Sequence, residues 1–279
     1  MNELVSYIKS GIRAVLPERL KQRIQFQRAL RRTDVFLVGH PKSGNTWLAY
    51  MLAILVNKDR DKRINMANVG EFVPTIHNVD HTIGYFGQLP DPRIFRNEAT
   101  RYPELYPRTI YIVRDPRAAL LSYYHHCVHD SGRTDWPMIE FVDEMIREGR
   151  IKSLEPTLIR WDKQVEAWLA RAKTQAVKVV RYEDLKHDCR AVLEQLADFI
   201  GLDCDADVLE FAVERGDFGN MRKEEKQYGA ESYPGEKGEK GFFVRKGKID
   251  SWKEEMPAEA IEKIERTFNS AMKQLGYVE

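Results

Sequence analysis

A short apolar run, a glycine-bounded loop and an amphipathic helix follow one another in the first quarter of the chain. Residues 35–38 form an apolar run typical of a buried strand. The next segment begins and ends on glycine, and the apolar spacing over residues 45–56 predicts a helix. A strand, a glycine loop and a helix in this order place backbone N–H groups and a helix dipole around an anion. This feature predicts an α/β fold with a phosphate-type site beside its first strand.

Further apolar runs at residues 109–113 and 177–180 predict two more strands. Helical spacing of apolar side chains recurs after residue 116 and over residues 158–172, 188–200, 206–214 and 258–275. Alternating strands and helices imply a three-layer α/β sandwich around a central parallel sheet. Two stretches are predicted to be irregular, namely the proline-containing residues 57–108 and the residues 219–247, which are rich in Gly, Lys and Glu.

The glycine loop nearly fits the GxxxxGK[ST] pattern of nucleotide kinases, but its lysine is displaced. Gly39 and Gly44 have the required separation and Thr46 holds the hydroxyl position, whereas Asn45 stands where the lysine belongs. In a kinase that lysine reaches the β- and γ-phosphates and the hydroxyl binds Mg²⁺. Here backbone amides could still hold a phosphate, with Lys42 on the crest of the loop beside a transferred group. An ordinary surface lysine is the alternative.

The overall charge argues against a general nucleic-acid binder. The 279 residues include 44 Lys and Arg against 43 Asp and Glu, so the basic surplus that bulk binding needs is absent. Residues 1–32 are predicted to be a basic N-terminal helical extension of a domain at 33–279, and they hold eight basic and two acidic side chains. This extension docks on its own domain, forms a plain solvated helix or makes peripheral contact with a membrane surface.

The expected location is the cytoplasm. Cys127, Cys189 and Cys204 form no CxxC pair and are odd in number, which fits a reducing compartment. The N-terminus lacks the continuous apolar stretch of a secretory signal. No apolar run approaches the roughly 18–20 residues that span a bilayer.

Three segments resemble the cytosolic-type sulfotransferases. Residues 41–47, Pro-Lys-Ser-Gly-Asn-Thr-Trp, are similar to the family's phosphosulfate loop, PKSGTTW. Residues 111–117, followed by Ser122, resemble its 3′-phosphate motif, and residues 245–247, followed by Trp252, resemble its RKGxxGDWK segment. The resemblance implies a P-loop-like enzyme that uses 3′-phosphoadenosine 5′-phosphosulfate (PAPS). It would transfer the sulfuryl group by in-line displacement to a hydroxyl or amine of a small-molecule acceptor.

The resemblance also implies two anion sites and an adenine site. The phosphosulfate would lie on the loop residues Lys42, Ser43, Gly44, Asn45 and Thr46. The 3′-phosphate would meet Arg114, Ser122, Arg245, Lys246 and Gly247. Adenine would stack between Trp47 and Phe218 and hydrogen-bond to Tyr182. The alternatives are ion pairs for the two arginines and plain core packing for the aromatic residues.

The catalytic residues implied are Lys42, which would neutralise the leaving phosphate oxygen, and a general base. Counting from the family's proline-arginine pair, Glu98 stands where the family has a histidine. A carboxylate serves as base if burial raises its pKa towards neutrality. In the alternative, Glu98 pairs with Arg96 or Arg101. His77 and His81 are then the alternative bases.

Other classes of function remain as alternatives. These are an ATP-dependent P-loop phosphotransferase and a non-catalytic nucleotide-binding protein. Histidines at positions 125, 126 and 129 suggest a metal site only weakly, since no second cluster completes a ligand set, and no metal is expected. The family's dimer segment is altered at Pro257 and Ala258, which leaves a homodimer open. Acceptor specificity is expected to reside in residues 65–108 and 129–157.

Overall fold

A computed structural model of the chain describes residues 17–60, 63–76, 87–97, 101–131, 136–150, 158–230 and 247–279. Its centre is a four-stranded sheet in the order β2-β1-β3-β4, with every pairing parallel. The strands are β1 Val35–Gly39, β2 Ile94–Asn97, β3 Arg108–Val113 and β4 Val177–Arg181. Because the strands are parallel, their carboxyl ends meet at one edge of the sheet, and the loop after β1 lies there.

Helices cover both faces of this sheet. Their bounds are α1 Glu18–Ala29, α2 Asn45–Asn57, α3 Val69–Phe72, α4 Pro116–Ser131, α5 Met138–Glu148, α6 Trp161–Arg171, α7 Tyr182–His187, α8 Cys189–Ile200, α9 Ala206–Arg215, α10 Phe218–Tyr228, α11 Trp252–Glu255 and α12 Ala258–Gln274. Within the described ranges, no helix is long and apolar enough to cross a membrane.

Alternation along the strands divides the apolar core into two clusters. Phe36 and Tyr111 point into a cluster with residues of α4, α5, α6 and α12. Leu37 and Ile110 point into the opposite cluster, with residues of α2, α8 and α9. Successive strand residues face opposite sides, so a sheet covered on both faces needs a continuous apolar run. The predicted three-layer sandwich with a central parallel sheet is confirmed.

The described part of the basic N-terminal segment packs on this domain. Phe26 of α1 is fully buried, and its ring centroid lies 6.0 Å from those of Phe36 and Tyr102. Just before β1, the buried carboxylate of Asp34 accepts two hydrogen bonds from Arg93, at 2.7 and 2.6 Å. The aromatic contacts and the ion pair fix the helix against the strand that leads into the glycine loop.

Two stretches predicted to be irregular contain regular elements, so that prediction was wrong. Strand β2 lies within residues 57–108, and its polar side chains are buried with partners. Arg96 donates from Nε to the Val73 carbonyl at 2.9 Å, and Asn97 donates to the Tyr106 hydroxyl at 2.7 Å. Helix α10 extends from Phe218 into the stretch 219–247, and its N-cap is Asp217, whose carboxylate accepts from the first-turn N–H groups.

Candidate active site

The loop after β1 is closely packed at both glycines. A Cβ atom on Gly39 would lie 2.4 Å from Oδ1 of Asn45 and 2.6 Å from the Ile112 carbonyl oxygen. Gly44 has φ +105°, and a Cβ atom there would lie 2.8 Å from Cδ2 of Tyr182. Lys42 has φ 65°, a left-handed conformation that non-glycine residues adopt at a cost. The backbone of the loop is therefore held in a shape that larger residues at the two glycines would disrupt.

The start of α2 offers hydrogen-bonding groups for a ligand. Gly44 is the N-cap and has no side chain with which to cap this end. The fully buried Ser43 hydroxyl has no hydrogen-bond partner in the described part of the chain. The N–H groups of a first helical turn, a helix dipole and a buried hydroxyl suit an anion such as a phosphate or sulfate. The residues present therefore fit the phosphosulfate end of the predicted donor.

Arg114, which follows β3, connects three parts of the site. Its Nη1 donates to the Lys42 carbonyl at 3.1 Å, and its Nη2 donates to the Lys248 carbonyl at 3.4 Å. Its Cζ lies 4.2 Å from the centroid of the Tyr182 ring. Its Nε is buried and has no partner among the described residues. A guanidinium so placed joins the glycine loop, the end of β4 and the segment after Gly247.

The aromatic residues predicted for adenine lie together beside this arginine. The Trp47 and Tyr182 rings are 5.4 Å apart between centroids, and Trp47 donates from Nε1 to the Gly216 carbonyl at 2.8 Å. Lys186 Nζ lies 5.7 Å from the ring centroids of both Trp47 and Phe218. Burial raises the pKa of Tyr182, which keeps its hydroxyl protonated at neutral pH.

Gly247 packs directly against one of these rings. Its φ is +63°, and a Cβ atom there would lie 2.3 Å from Cδ2 of Phe218. The structure thus brings together at one site Lys42, Ser43, Gly44, Asn45, Trp47, Arg114, Tyr182, Phe218 and Gly247. Thr46 and Ser122 are half-buried on α2 and α4.

Several predicted site residues lie outside the described residues. They are Glu98, Arg245 and Lys246, together with the alternative bases His77 and His81. Their roles stay predictions.

Two residues near the site were missed by sequence reasoning. Lys186 approaches the aromatic rings from α7, and no motif pointed to it. His40 follows β1 and is 1% exposed, and burial lowers its pKa to about 4. Its Nδ1 lies 3.3 Å from the Pro41 carbonyl oxygen, and its Nε2 has no partner within the described ranges. The feature of the sequence that could have indicated His40 is its position between Gly39 and Pro41 in the glycine loop.

His125 and His126 on α4 have ordinary packing partners, whereas the side chain of His129 lies outside the described part of the structure. His125 Nε2 lies 3.5 Å from an Oε2 oxygen of Glu255, and the His126 ring lies 6.3 Å from that of Tyr123. Across the residues that the structure describes, no group of three or more His, Cys, Asp or Glu side chains is placed to hold a metal ion.

The fold and the site together define an α/β protein with a P-loop-like turn whose groups suit an anion. Within that class, a family model described as the sulfotransferase domain matches residues 32–276. The chain therefore belongs to the sulfotransferase family, whose members are enzymes that transfer sulfuryl groups.

Curated relatives span most of the chain. An amine sulfotransferase of Oryctolagus cuniculus is 25% identical over 264 residues, which cover 88% of this chain and 82% of that protein. A 3-beta-hydroxysteroid sulfotransferase of Cavia porcellus is 24% identical over 267 residues, 92% of this chain and 89% of that protein.

Solved structures share the fold. Retinol dehydratase in complex with retinol and PAP has a TM-score of 0.65 at 18% identity, covering 88% of this chain and 82% of the other. A mouse sulfotransferase complexed with PAP has a TM-score of 0.62 at 18% identity, covering 87% and 84%. At this identity the likeness concerns the fold alone.

Proposed function

We propose that this sulfotransferase uses PAPS as donor and sulfonates a hydroxyl or amine of a small acceptor. The observation that carries the proposal is Arg114, which links the carbonyl of Lys42 to that of Lys248 while lying over Tyr182. The Arg114 guanidinium thus lies between the glycine loop and the aromatic residues. A nucleotide with two anionic groups needs a cation in addition to the loop, and arginine suits a phosphate. The relatives named for amines and hydroxysteroids, and the neighbours complexed with PAP, support the same donor and acceptor classes.

Donor binding is divided between two anion sites in this proposal. The start of α2, where the N-cap is a glycine, receives the phosphosulfate together with Ser43 and Thr46. Arg114 receives the 3′-phosphate with the remaining predicted residues, Ser122, Arg245, Lys246 and Gly247. Trp47 and Phe218 hold adenine between them, and the protonated Tyr182 hydroxyl donates to the base.

Lys42 is proposed to act on the leaving group. The donor supplies an activated sulfuryl group, and negative charge builds on the phosphate oxygen that it leaves. An ammonium group at the crest of the loop stabilises that charge more in the transition state than in the ground state. Because Arg114 holds the Lys42 carbonyl at 3.1 Å, the backbone beneath the ammonium group is fixed before the reaction. No step of this scheme uses a metal ion.

Glu98 is proposed as the general base that takes the acceptor proton. Support comes from its place after Asn97, the last residue of β2, whose Cα pairs with Val38 at the sheet edge where the loop begins. Glu98→Gln should lower turnover by at least ~10²-fold while leaving PAP affinity unchanged, because an amide cannot accept the proton. Glu71→Gln, at an exposed position on α3, is the matched control. Near-normal turnover of Glu98→Gln would reject this role.

Calorimetric titration tests the donor. The protein should bind PAP, which is 3′-phosphoadenosine 5′-phosphate, and discriminate against ATP with Mg²⁺. The opposite preference would indicate the alternative phosphotransferase. A panel of hydroxyl and amine acceptors with labelled PAPS then separates an enzyme from a non-catalytic nucleotide-binding protein, which would bind PAP and transfer nothing.

Location and assembly are proposed on narrower grounds. No disulfide links Cys127, Cys189 and Cys204, all of which the structure describes, and this supports a reducing compartment such as the cytoplasm. A homodimer and a membrane contact through residues 1–32 stay predictions, and no nucleic-acid partner is proposed.

A further inference from the structure

The carboxylate of Glu183 joins three segments next to the proposed 3′-phosphate site. Its Oε1 accepts the backbone N–H of Asp115 at 3.1 Å, and its Oε2 accepts the hydroxyl of Tyr277 at 2.9 Å. Asp115 directly follows Arg114, and Glu183 directly follows Tyr182. The Glu183 carboxylate therefore links the residue after Tyr182 to the backbone of the residue after Arg114.

Tyr277 comes from the end of the chain, beyond α12, and is held from several sides. Its backbone N–H donates to the Met272 carbonyl at 2.9 Å, and its own carbonyl accepts from Arg117 Nη2 at 3.1 Å. Arg181 Cζ lies 4.8 Å from the centroid of its ring. Burial, and then the neighbouring Glu183 carboxylate, raise the pKa of Tyr277, so its hydroxyl donates throughout the physiological range.

Arg117 extends this arrangement to the segment that carries Gly247. Its guanidinium pairs with the Asp115 carboxylate and lies 3.9 Å from the centroid of the Trp252 ring. It also pairs with Glu265 of α12. Arg117 therefore holds the Tyr277 carbonyl while its other contacts join the start of α4 to α11 and α12.

We infer that Tyr277 is a positioning residue for the donor: by fixing Glu183, it holds Arg114 in place for the 3′-phosphate. Without the hydroxyl, one oxygen of Glu183 loses its partner and the carboxylate can turn from Asp115 towards the adjacent Arg181. The backbone that carries Arg114 then loses a restraint. The inference rests on the proposed function, because the 3′-phosphate belongs to the proposed donor.

The test compares two nucleotides that differ in the 3′-phosphate alone, PAP and adenosine 5′-monophosphate. Tyr277→Phe should weaken PAP binding about 3- to 10-fold, the size of one lost hydrogen bond, with little effect on the monophosphate. The KM for PAPS should rise by a similar factor, and kcat at saturating PAPS should stay within about 2-fold. Tyr228→Phe, 49% exposed on α10, is the matched control and should change neither affinity.

A double-mutant cycle tests whether Tyr277 acts through Glu183. Adding Tyr277→Phe to Glu183→Ala should weaken PAP binding no further, since the shared partner is already gone. If Glu183→Ala fails to fold, the PAP-to-monophosphate ratio of Tyr277→Phe decides alone. An unchanged ratio, or a lower melting temperature with unchanged PAP affinity, would overturn the inference. A wild-type protein that does not bind PAP would instead overturn the proposed function.

Discussion

The guanidinium carbon of Arg114 lies 4.2 Å from the centroid of the Tyr182 ring. The two residues follow neighbouring strands, since Val113 at the end of β3 pairs with Arg181 at the end of β4. The contact is a cation–π interaction, and it keeps the guanidinium beside the ring. Val113 and Arg181, which precede Arg114 and Tyr182, are fixed by parallel pairing. The sheet therefore sets where the guanidinium lies relative to the ring.

Replacing Arg114 by lysine tests this orientation. Lysine keeps the charge but loses the planar group that stacks on Tyr182 and donates to two carbonyls. We expect PAP affinity to fall at least ~10-fold, measured by calorimetry. Arg266→Lys, exposed on α12, is the control. An Arg114→Lys protein that binds PAP as the wild type does would show that the fork of donors is not needed.

A methyl group at Gly247 should displace Phe218, one of the two rings proposed to hold adenine. Gly247 has φ +63°, and its added Cβ would lie 2.3 Å from Cδ2 of Phe218. Gly276 has φ +71° and no heavy atom within 4 Å of an added Cβ, so Gly276→Ala carries the backbone strain alone. Both variants should lose about 1–2 kcal/mol of stability from the left-handed backbone.

The two alanine variants should differ in ligand binding. Gly247→Ala should weaken PAP at least ~5-fold because Phe218 must move, and such stacking contributes about 1–3 kcal/mol. Gly276→Ala should bind PAP normally. Equal PAP affinities in both variants, measured by the same titration, would contradict a role for Phe218 beside the nucleotide.

Lys42→Met should separate turnover from binding. Methionine keeps much of the length of the side chain and removes the ammonium group that the proposal places at the leaving oxygen. We expect kcat to fall about 10²–10³-fold, as for other single groups that stabilise developing charge. Lys173→Met, at an exposed position after α6, controls for the loss of a lysine. A kcat within 3-fold of wild type would remove Lys42 from the mechanism.

The sequence predicted three of the four strands from short runs dominated by apolar residues. Residues 35–38, 109–113 and 177–180 are such runs, and all three are strands. Strand β2 escaped prediction because Arg96 and Asn97 read as surface residues. Their partners, the Val73 carbonyl and the Tyr106 hydroxyl, lie elsewhere along the chain, so local spacing does not reveal them.

Helix α10 was missed for a related reason. Its sequence is strongly charged, yet Glu224 is buried and accepts from the Tyr50 hydroxyl at 2.8 and 2.9 Å. Arg215 completes the group by donating to Tyr50 at 2.9 Å. A buried charged network depends on three helices meeting, which no single segment encodes.

For the site, the motif indicated the glycine loop and the resemblance proposed the remaining residues. Spacing alone could not show that Arg114 donates to the Lys42 carbonyl, because 72 positions separate the two residues. Nor could it show that Gly247 packs on Phe218. The Arg114–Lys42 contact arises from the sheet order, in which β1 and β3 are neighbours. The Gly247–Phe218 contact joins two segments outside the sheet.

His40 should make stability depend on pH. Burial lowers its pKa from 6.5 to about 4, so the folded protein holds this histidine neutral while the unfolded chain takes up a proton below pH 6.5. The unfolded state therefore binds more protons between pH 6.5 and 4, and the free energy of unfolding falls as pH falls through that window. The contribution of His40 to this fall in the free energy of unfolding reaches about 3 kcal/mol at pH 4.

Denaturant unfolding tests the role of His40. His40→Gln should lose less free energy of unfolding than the wild type over the same pH window, with exposed His187→Gln as the control. Parallel pH curves for wild type and His40→Gln would mean that His40 does not couple folding to protonation.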